Sequence, residues 1–436
     1  MSLRANDLRN HWSPFTPNRT FNEAPRLVTK GEGMYYWNDK SEKLIDGSAG
    51  LFCVAAGHGR KEIADAVYNQ LLHLDYAPSF GMGHPGSFEL ARRIANYTPG
   101  DLNHIFFSIC GSTAIDSALK IIMAYFVAKN EPARTRFVSR ERAYHGVNIG
   151  GTSLSGMVKN REVFGGVMPG IVHMRHTWLK ENCFTKGQPE KGDYLADDLQ
   201  RFVDMYGPNT IAACFVEPIA GSTGTLVPPK GYLQKLRSIC DKYGILLVFD
   251  EVITGWGRTG KAFGADSFGV TPDLMTMAKA VTNGTQPMGV VAVSENIYDT
   301  VINAAPEGAI EFFHGYTYSA HPCAVAAAHA TLDIYEKEKL FDRAASMSEY
   351  FLDSIFSLKR HSIVTDIRGY GMMTGVDVAM DKKPGVRGMA IQKKLFAEGM
   401  HVKFTGDCGI VAPPFIAEKK HIDEIVEKFG KVLKSF

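Results

Sequence analysis

Two stretches of this chain carry no polar side chain at all: Ile211-Ala-Ala-Cys-Phe-Val216 and Gly244-Ile-Leu-Leu-Val-Phe249. A strand with one face in water alternates polar and apolar residues, whereas a run that is apolar throughout must be covered on both faces. Such strands belong to a mainly parallel sheet with helices on either side, the α/β class. The surrounding sequence agrees. Ile105-Phe-Phe-Ser108, Arg136-Phe-Val-Ser139 and Met288-Gly-Val-Val-Ala-Val293 read as further short strands. Helical stretches are expected from Lys61 to Leu74, from Ala114 to about Phe126, over 230–243 and from Pro322 to about Glu338. Residues 34–45 read as a hairpin turning at Asn38-Asp-Lys40, and Gly371–Asp377 as a short strand. A chain of 436 residues can hold one large α/β domain and a smaller α+β one. The expected division assigns 1–60 to the smaller unit as its N-terminal segment, 61–324 to the large domain and 325–436 to the rest of the smaller unit.

Composition excludes several function classes. The net charge is +2 and no basic run or stripe occurs, so no nucleic-acid partner is expected. Seven scattered cysteines, with no CxxC and no Cys/His cluster, point to free thiols in a reducing, cytoplasmic compartment and to no metal site. No uninterrupted apolar run reaches membrane length and the N-terminus is polar, so neither a membrane partner nor a secretory signal is expected.

Four local patterns carry chemistry. Phe106-Phe-Ser-Ile-Cys-Gly-Ser-Thr-Ala-Ile-Asp116 reads as strand, tight turn and helix. Free amides there, with Gly111 and the Ser112 hydroxyl, suit a phosphate, although capping alone would use the same residues. Cys110 beside that helix start lacks a base at readable spacing that would make it a nucleophile. Asp250 and Glu251 close a buried strand at its carboxyl end, where open α/β sheets bind ligands; strand-exit acids also cap the next element. Tyr144, in Arg142-Ala-Tyr-His-Gly146, offers a ring to stack on a flat ligand, or a core tyrosine with its hydroxyl satisfied. Lys279 stands in the otherwise apolar Asp273-Leu-Met-Thr-Met-Ala-Lys-Ala-Val-Thr-Asn-Gly284. A lysine there either snorkels to water or is paired, neutral or covalently occupied.

Gly255-Trp-Gly257-Arg-Thr-Gly260 matches the GxGxxG of dinucleotide-binding enzymes. Its glycines do not come directly off the strand, and the following KAFGADSFGVTPD reads as non-helical. An NAD-dependent dehydrogenase needs that helix. The order phosphate turn, aromatic, carboxylate and lysine instead matches pyridoxal phosphate. That cofactor has a phosphate, a flat ring, a ring nitrogen that works best protonated, and an aldehyde that condenses with lysine.

At this point the chain resembles the class III (subgroup II) fold-type I aminotransferases, and among them the ω-amino acid:pyruvate type, the ω-transaminases. The resemblance spans nearly the whole sequence. It runs from His11-Trp-Ser-Pro-Phe-Thr16 through Asp46-Gly-Ser-Ala-Gly-Leu-Phe52, Ala143-Tyr-His-Gly146 and Glu217-Pro218. It continues in Asp250-Glu-Val-Ile-Thr-Gly-Trp-Gly-Arg-Thr-Gly260, Ala278-Lys279, His314-Gly-Tyr-Thr-Tyr-Ser319 and Ala412-Pro-Pro-Phe415. The resemblance implies the pyridoxal-phosphate transferase fold, type I, with a mostly parallel seven-stranded sheet in the large domain. It implies pyridoxal 5'-phosphate held as a Schiff base on Lys279, which also moves the Cα proton. Asp250 would pair with the ring nitrogen, Val252 and Tyr144 would pack the two ring faces, and Gly111 and Ser112 would bind the phosphate. Glu217 would support the hydroxyl side of the ring. Thr317 would reach the phosphate of a neighbouring subunit, which implies an obligate homodimer with shared sites; pairing of dimers into tetramers stays open. Phe15, Phe52, Phe80, Tyr144 and Lys403 would line the substrate pocket.

The implied reaction is ping-pong. A primary amine or ω-amino acid gives up its amino group and leaves as an aldehyde or ketone, and pyruvate takes the group and leaves as alanine. A taurine:pyruvate aminotransferase, or an aminomutase or decarboxylase of the same fold, are the alternatives. Departures from the family pattern bear on this choice. The usual Ser-Gly-Ser-Glu-Ala turn reads Cys110-Gly-Ser-Thr-Ala114, with a hydroxyl in place of the carboxylate. The acid and arginine that gate glutamate-using members would fall at Ser222 and Ile410. Both are missing, and with them a bidentate grip on a second carboxylate. The mobile arginine of pyruvate-using members falls at Lys403, a point charge without the planar fork.

Overall fold

The computed structural model describes residues 8–165 and 167–436. Three sheets organise them. Near the N-terminus β1 (Val28–Glu32), β2 (Tyr35–Asn38) and β3 (Lys43–Asp46) form an antiparallel meander. The central sheet holds β4 (His104–Ser108), β5 (Arg136–Arg140), β6 (Ile171–Met174), β7 (Ile211–Val216), β8 (Leu246–Asp250), β9 (Leu274–Met277) and β10 (Gly289–Val293). A third sheet is built from β11 (Val364–Tyr370), β12 (Met373–Val378), β14 (Lys403–Thr405) and β15 (Cys408–Val411). The short β13 (Met400–His401) pairs in parallel with β3 and so joins the N-terminal meander to the C-terminal part of the chain.

In the central sheet the order is β4-β10-β9-β8-β7-β5-β6. Strand β10 runs antiparallel to β4 and β9, and every other pairing is parallel. The two wholly apolar runs became the adjacent β7 and β8, buried at every position. The mostly parallel seven-stranded sheet expected from the resemblance is therefore present. Helix Gly111–Ala128 starts at the first glycine of the turn, earlier than Ala114, because Cys110 is already extended and serves as its N-cap. By length and composition this helix is apolar enough to cross a membrane. Its apolar residues are spent otherwise, packing against β4, β9 and β10.

One expectation needs correction. Residues Gly264–Phe268, expected to be non-helical, form a short helix ending at the left-handed Gly269. Its first amides are already taken: Gly264 N donates to Glu251 Oε2 at 2.9 Å and Ala265 N to Oε1 at 2.7 Å. A buried carboxylate thus occupies the position a dinucleotide's pyrophosphate would need. The GRTG stretch is a structural tie. Arg258 is fully buried, donates from Nη1 to the carbonyls of Met372 and Pro413 at 3.1 and 2.7 Å, and covers the Phe415 ring at 4.5 Å.

Candidate active site

Strands β4, β5, β7, β8 and β9 all point their carboxyl ends to one edge of the sheet, where ligands collect in open α/β folds. A cavity of about 320 Å³ lies there, and Gly111, Ser112, Tyr144, Glu217, Asp250, Val252 and Lys279 line it. Seven residues scattered over more than a third of the sequence meet because each follows a strand of one sheet.

Lys279 follows β9 in a left-handed conformation, with φ of 53°. A non-glycine residue held there carries strain, and strained residues concentrate where the surrounding fold needs a side chain aimed. Among the described residues no carboxylate forms an ion pair with its Nζ. Its Nζ lies over the Phe52 ring, 5.3 Å from the centroid. Burial pushes the amine below the ordinary lysine range, against the pull of Cys53, Asp250 and Glu217. Such an amine is closer to the neutral, nucleophilic form than a surface lysine.

Asp250 ends β8 and is buried. Its Oδ1 accepts from Val252 N at 3.1 Å, and its Oδ2 lies 2.8 Å from Nδ1 of His145. His145 is itself buried, with Nε2 unpartnered among the described residues. Glu217, just past β7, accepts from Tyr144 N at 3.0 Å, which fixes the start of the Tyr144 segment. Burial, with Asp250 adding, pushes the Glu217 carboxyl up to about 7; His145, Arg140 and the Tyr144 amide oppose it. Burial raises the Tyr144 phenol too, with Asp250 adding.

The turn before helix Gly111–Ala128 is shaped for a close approach. Ser112 Oγ accepts from Val147 N at 3.1 Å. A Cβ at Gly146 would stand 2.5 Å from that same Oγ, and Gly146 has φ of 95°, so only glycine fits. A Cβ at Gly111 would press on Val252 at 3.2 Å. The departure at Thr113 costs the turn little. The Thr113 hydroxyl accepts from Cys110 N at 2.9 Å and Ile109 N at 3.1 Å, doing the capping-box work of the usual carboxylate. Cys110 is exposed, and its Sγ accepts from the Thr113 hydroxyl at 3.6 Å.

These residues fit pyridoxal phosphate on four counts. A glycine-lined helix N-terminus with a serine hydroxyl suits its phosphate. An aromatic ring and a branched aliphatic side chain share the cavity where a flat ring would lie. A buried, hydrogen-bonded carboxylate is available for a ring nitrogen, and an unpaired amine for an aldehyde. Among the described residues no group of three or more His, Cys, Asp or Glu could hold a metal.

Other expected residues do not line the cavity. Phe15 and Phe80 are 77% and 62% exposed and Thr317 is exposed. Phe52 is buried and contacts the Lys279 end of the cavity from behind. Lys403 is partly buried; its Nζ donates to Thr405 Oγ1 at 2.7 Å, and that hydroxyl donates to Ser222 O at 2.7 Å. Burial pushes Lys403 down to about 8, and the charge on Lys279 adds to the effect. Ile410 is fully buried in β15, directly opposite Lys403 in β14. Sequence reasoning assigned no part to His145, Gly146 or Cys53. His145 and Gly146 stood in the quoted Ala143-Tyr-His-Gly146 motif, which was the available signal.

The class III aminotransferase family model matches residues 17–433. An ω-aminotransferase from Caulobacter vibrioides is 49% identical over 433 residues, 98% of each chain. An ω-amino acid–pyruvate aminotransferase from Pseudomonas putida is 46% identical, over 97% of this chain and 95% of that one. The solved structure of an ω-transaminase from Pseudomonas jessenii in complex with PMP is 31% identical and superposes with a TM-score of 0.94, covering 100% of this chain and 98% of that one. With the cavity, its lysine and its carboxylate in place, the chain belongs to the class III, pyridoxal-phosphate-dependent aminotransferases.

Proposed function

We propose that this aminotransferase moves an amino group from a primary amine or ω-amino acid to pyruvate, giving alanine. One observation carries the choice of substrates. The two positions at which glutamate-using members hold their acid and arginine are Ser222, whose carbonyl is bound by Thr405, and the fully buried Ile410. Lys403 pairs with Ile410 across β14 and β15 and lies close enough to Lys279 to feel its charge, so it is the cation we assign to the substrate carboxylate. A single point charge grips a monocarboxylate such as pyruvate and leaves a dicarboxylate's second arm unpaired. The relatives named above as ω-amino acid–pyruvate and ω-aminotransferases support the same reading.

When bound, pyridoxal phosphate supplies an aldehyde that takes up the amino group and a ring that delocalises the electrons of the broken C–H bond. The chain's own residues do the rest. Lys279 would hold the cofactor covalently and, once released, would carry the proton off and back at the substrate carbon. Burial lowers its pKa and so favours the neutral amine that a base needs. Asp250, oriented by His145 and the Val252 amide, would pair with the ring nitrogen and favour its protonated form. Gly111 and Ser112 would hold the phosphate. Tyr144 and Val252 would pack the two faces of the ring, and Glu217 would serve its hydroxyl side.

The dimer belongs to the same proposal. Phe15, Phe80 and Thr317 lie outside the cavity of their own chain, and Phe15, Phe80, Tyr318 and Phe313 leave large apolar surface open. Thr317 and the two phenylalanines would complete the partner's site in a homodimer. The division at about residues 60 and 325 is likewise proposed, with the meander of β1 to β3 riding on the C-terminal unit through β13. The test mixes the cofactor-loaded enzyme with pyruvate and, in turn, β-alanine, taurine, 1-phenylethylamine and glutamate. Alanine formed from the amine or ω-amino acid, with none from glutamate, is expected. Alanine from glutamate alone would sink the substrate assignment, and alanine from taurine alone would favour the taurine reading.

A further inference from the structure

The turn that leads into Cys53, a residue of the cavity wall, has a backbone held far from relaxed geometry. Ala49, Gly50 and Phe52 have φ of 46°, 66° and 63°. Alanine and phenylalanine avoid that left-handed region unless the surroundings impose it. The imposed turn places two side chains: Cys53 in the cavity wall, and the buried Phe52 ring, outside the cavity, with its centroid 5.3 Å from Lys279 Nζ.

Asp46 imposes it. The residue is fully buried at the end of β3. Its Oδ1 accepts from Ser48 N at 3.0 Å, and its Oδ2 accepts from Gly50 N at 2.6 Å. Both amides belong to the strained turn. Nε2 of His58 lies 2.8 Å from the same Oδ2, and the Tyr36 ring packs on His58 at 4.2 Å. From the other side, Nε2 of His401 meets Gly50 O at 2.8 Å. Neither Asp46 nor His58 lines the cavity.

We propose that Asp46 is a positioning residue that sets the donor specificity of the enzyme. By pinning the 48–50 turn it holds the buried Phe52 ring beside Lys279 and Cys53 in the cavity wall, and so limits how far the pocket can open for the amine. The inference rests on the reading of primary amines as donors. It concerns a carboxylate that touches neither cofactor nor substrate.

The test uses the holoenzyme and two donors without a carboxylate, isopropylamine and 1-phenylethylamine, so that Lys403 plays no part. The single-turnover rate at which each bleaches the cofactor's visible band is measured. In Asp46→Asn one acceptor oxygen becomes an NH2 group facing an amide or the His58 ring, and the turn relaxes. The ratio of 1-phenylethylamine to isopropylamine rates is expected to rise about tenfold, within the range known for small displacements of a positioned group. Phe52→Ala is expected to raise the ratio in the same direction. Adding Asp46→Asn to Phe52→Ala is expected to change it no further, because the ring through which Asp46 acts is gone. His58→Gln, which leaves both amide bonds to Asp46 in place, is expected to give a smaller shift of the same sign and keeps the test open should Asp46→Asn not fold. An equal loss for both donors in Asp46→Asn or His58→Gln, or full additivity with Phe52→Ala, would make Asp46 merely structural and overturn the proposal. Failure of both donors to bleach the parent enzyme would instead overturn the donor reading beneath it.

Discussion

Replacing Lys403 should separate the two halves of the reaction. Burial, with the charge on Lys279 adding, lowers its pKa to about 8. A lysine with that pKa is about nine-tenths charged at pH 7 and about one-tenth charged at pH 9. The sign is that of a base with a depressed pKa: the cation is present below pH 8 and lost as pH rises through it. If the cation holds the acceptor's carboxylate, kcat/KM for the pyruvate half-reaction falls about tenfold from pH 7 to pH 9. The amine half-reaction with 1-phenylethylamine, which has no carboxylate, supplies the correction for every other group that titrates. Lys403→Ala removes a charge-assisted contact worth ~1.5–3 kcal/mol, or about 10- to 150-fold, on the pyruvate half alone. Lys403→Arg keeps its charge across the range, so its pyruvate profile should stay flat to pH 9. Stopped-flow absorbance of the bound cofactor, read separately with amine and with pyruvate, gives both rates. A pyruvate step that is flat through pH 8 in the parent enzyme, or an Ala variant that slows both halves alike, would refute the role.

Other perturbations test the rest of the site. Gly146→Ala would drive a Cβ to 2.5 Å from Ser112 Oγ at a positive φ, so weaker cofactor binding by at least ~1–3 kcal/mol is expected, read by titrating cofactor into stripped protein. Glu217→Gln should flatten the pH dependence of stability. Its carboxyl is raised to about 7 from 4.5, so the cost of burying the anion is absent below 4.5 and complete above 7; that cost is on the order of 3 kcal/mol, measurable by denaturant unfolding at pH 5 and pH 8. His145→Ala should leave Asp250 without its side-chain partner and lower kcat with little change in donor KM, since it loosens the group that steers the ring nitrogen rather than the substrate.

Much of the fold could be read from residues in a row, and much of the site could not. Strands β7 and β8 were legible because a sheet covered on both faces leaves no alternative for an all-apolar run. Strand β6 escaped notice because it is an edge, half-buried, and carries His173. Strand β9 was hidden in the Lys279 stretch, four residues long and interrupted by Thr276, whose hydroxyl is buried. The helix at Gly264–Phe268 was missed because its glycines discourage helix locally, and what holds it is the carboxylate of Glu251, distant in sequence. Asp250 and Glu251 illustrate the limit well: neighbours on the chain, one faces the cavity and the other caps a helix. Strand alternation requires the two to face opposite ways, but not which way each faces. The His145–Asp250 pair spans two strands and exists only once the sheet has formed. Phe15, Phe80 and Thr317 were assigned to the site through resemblance alone, and a single chain leaves them at its surface.

The most direct measurement is where the cofactor attaches. Protein loaded with pyridoxal phosphate is reduced with borohydride, digested and read by mass spectrometry, alongside an unreduced sample titrated with amine and then pyruvate. A single reduced adduct on the peptide carrying Lys279 is expected, together with a visible band that amine bleaches and pyruvate restores. An adduct on any other lysine, or none, would overturn the assignment of Lys279 and with it the chemistry built around the cavity.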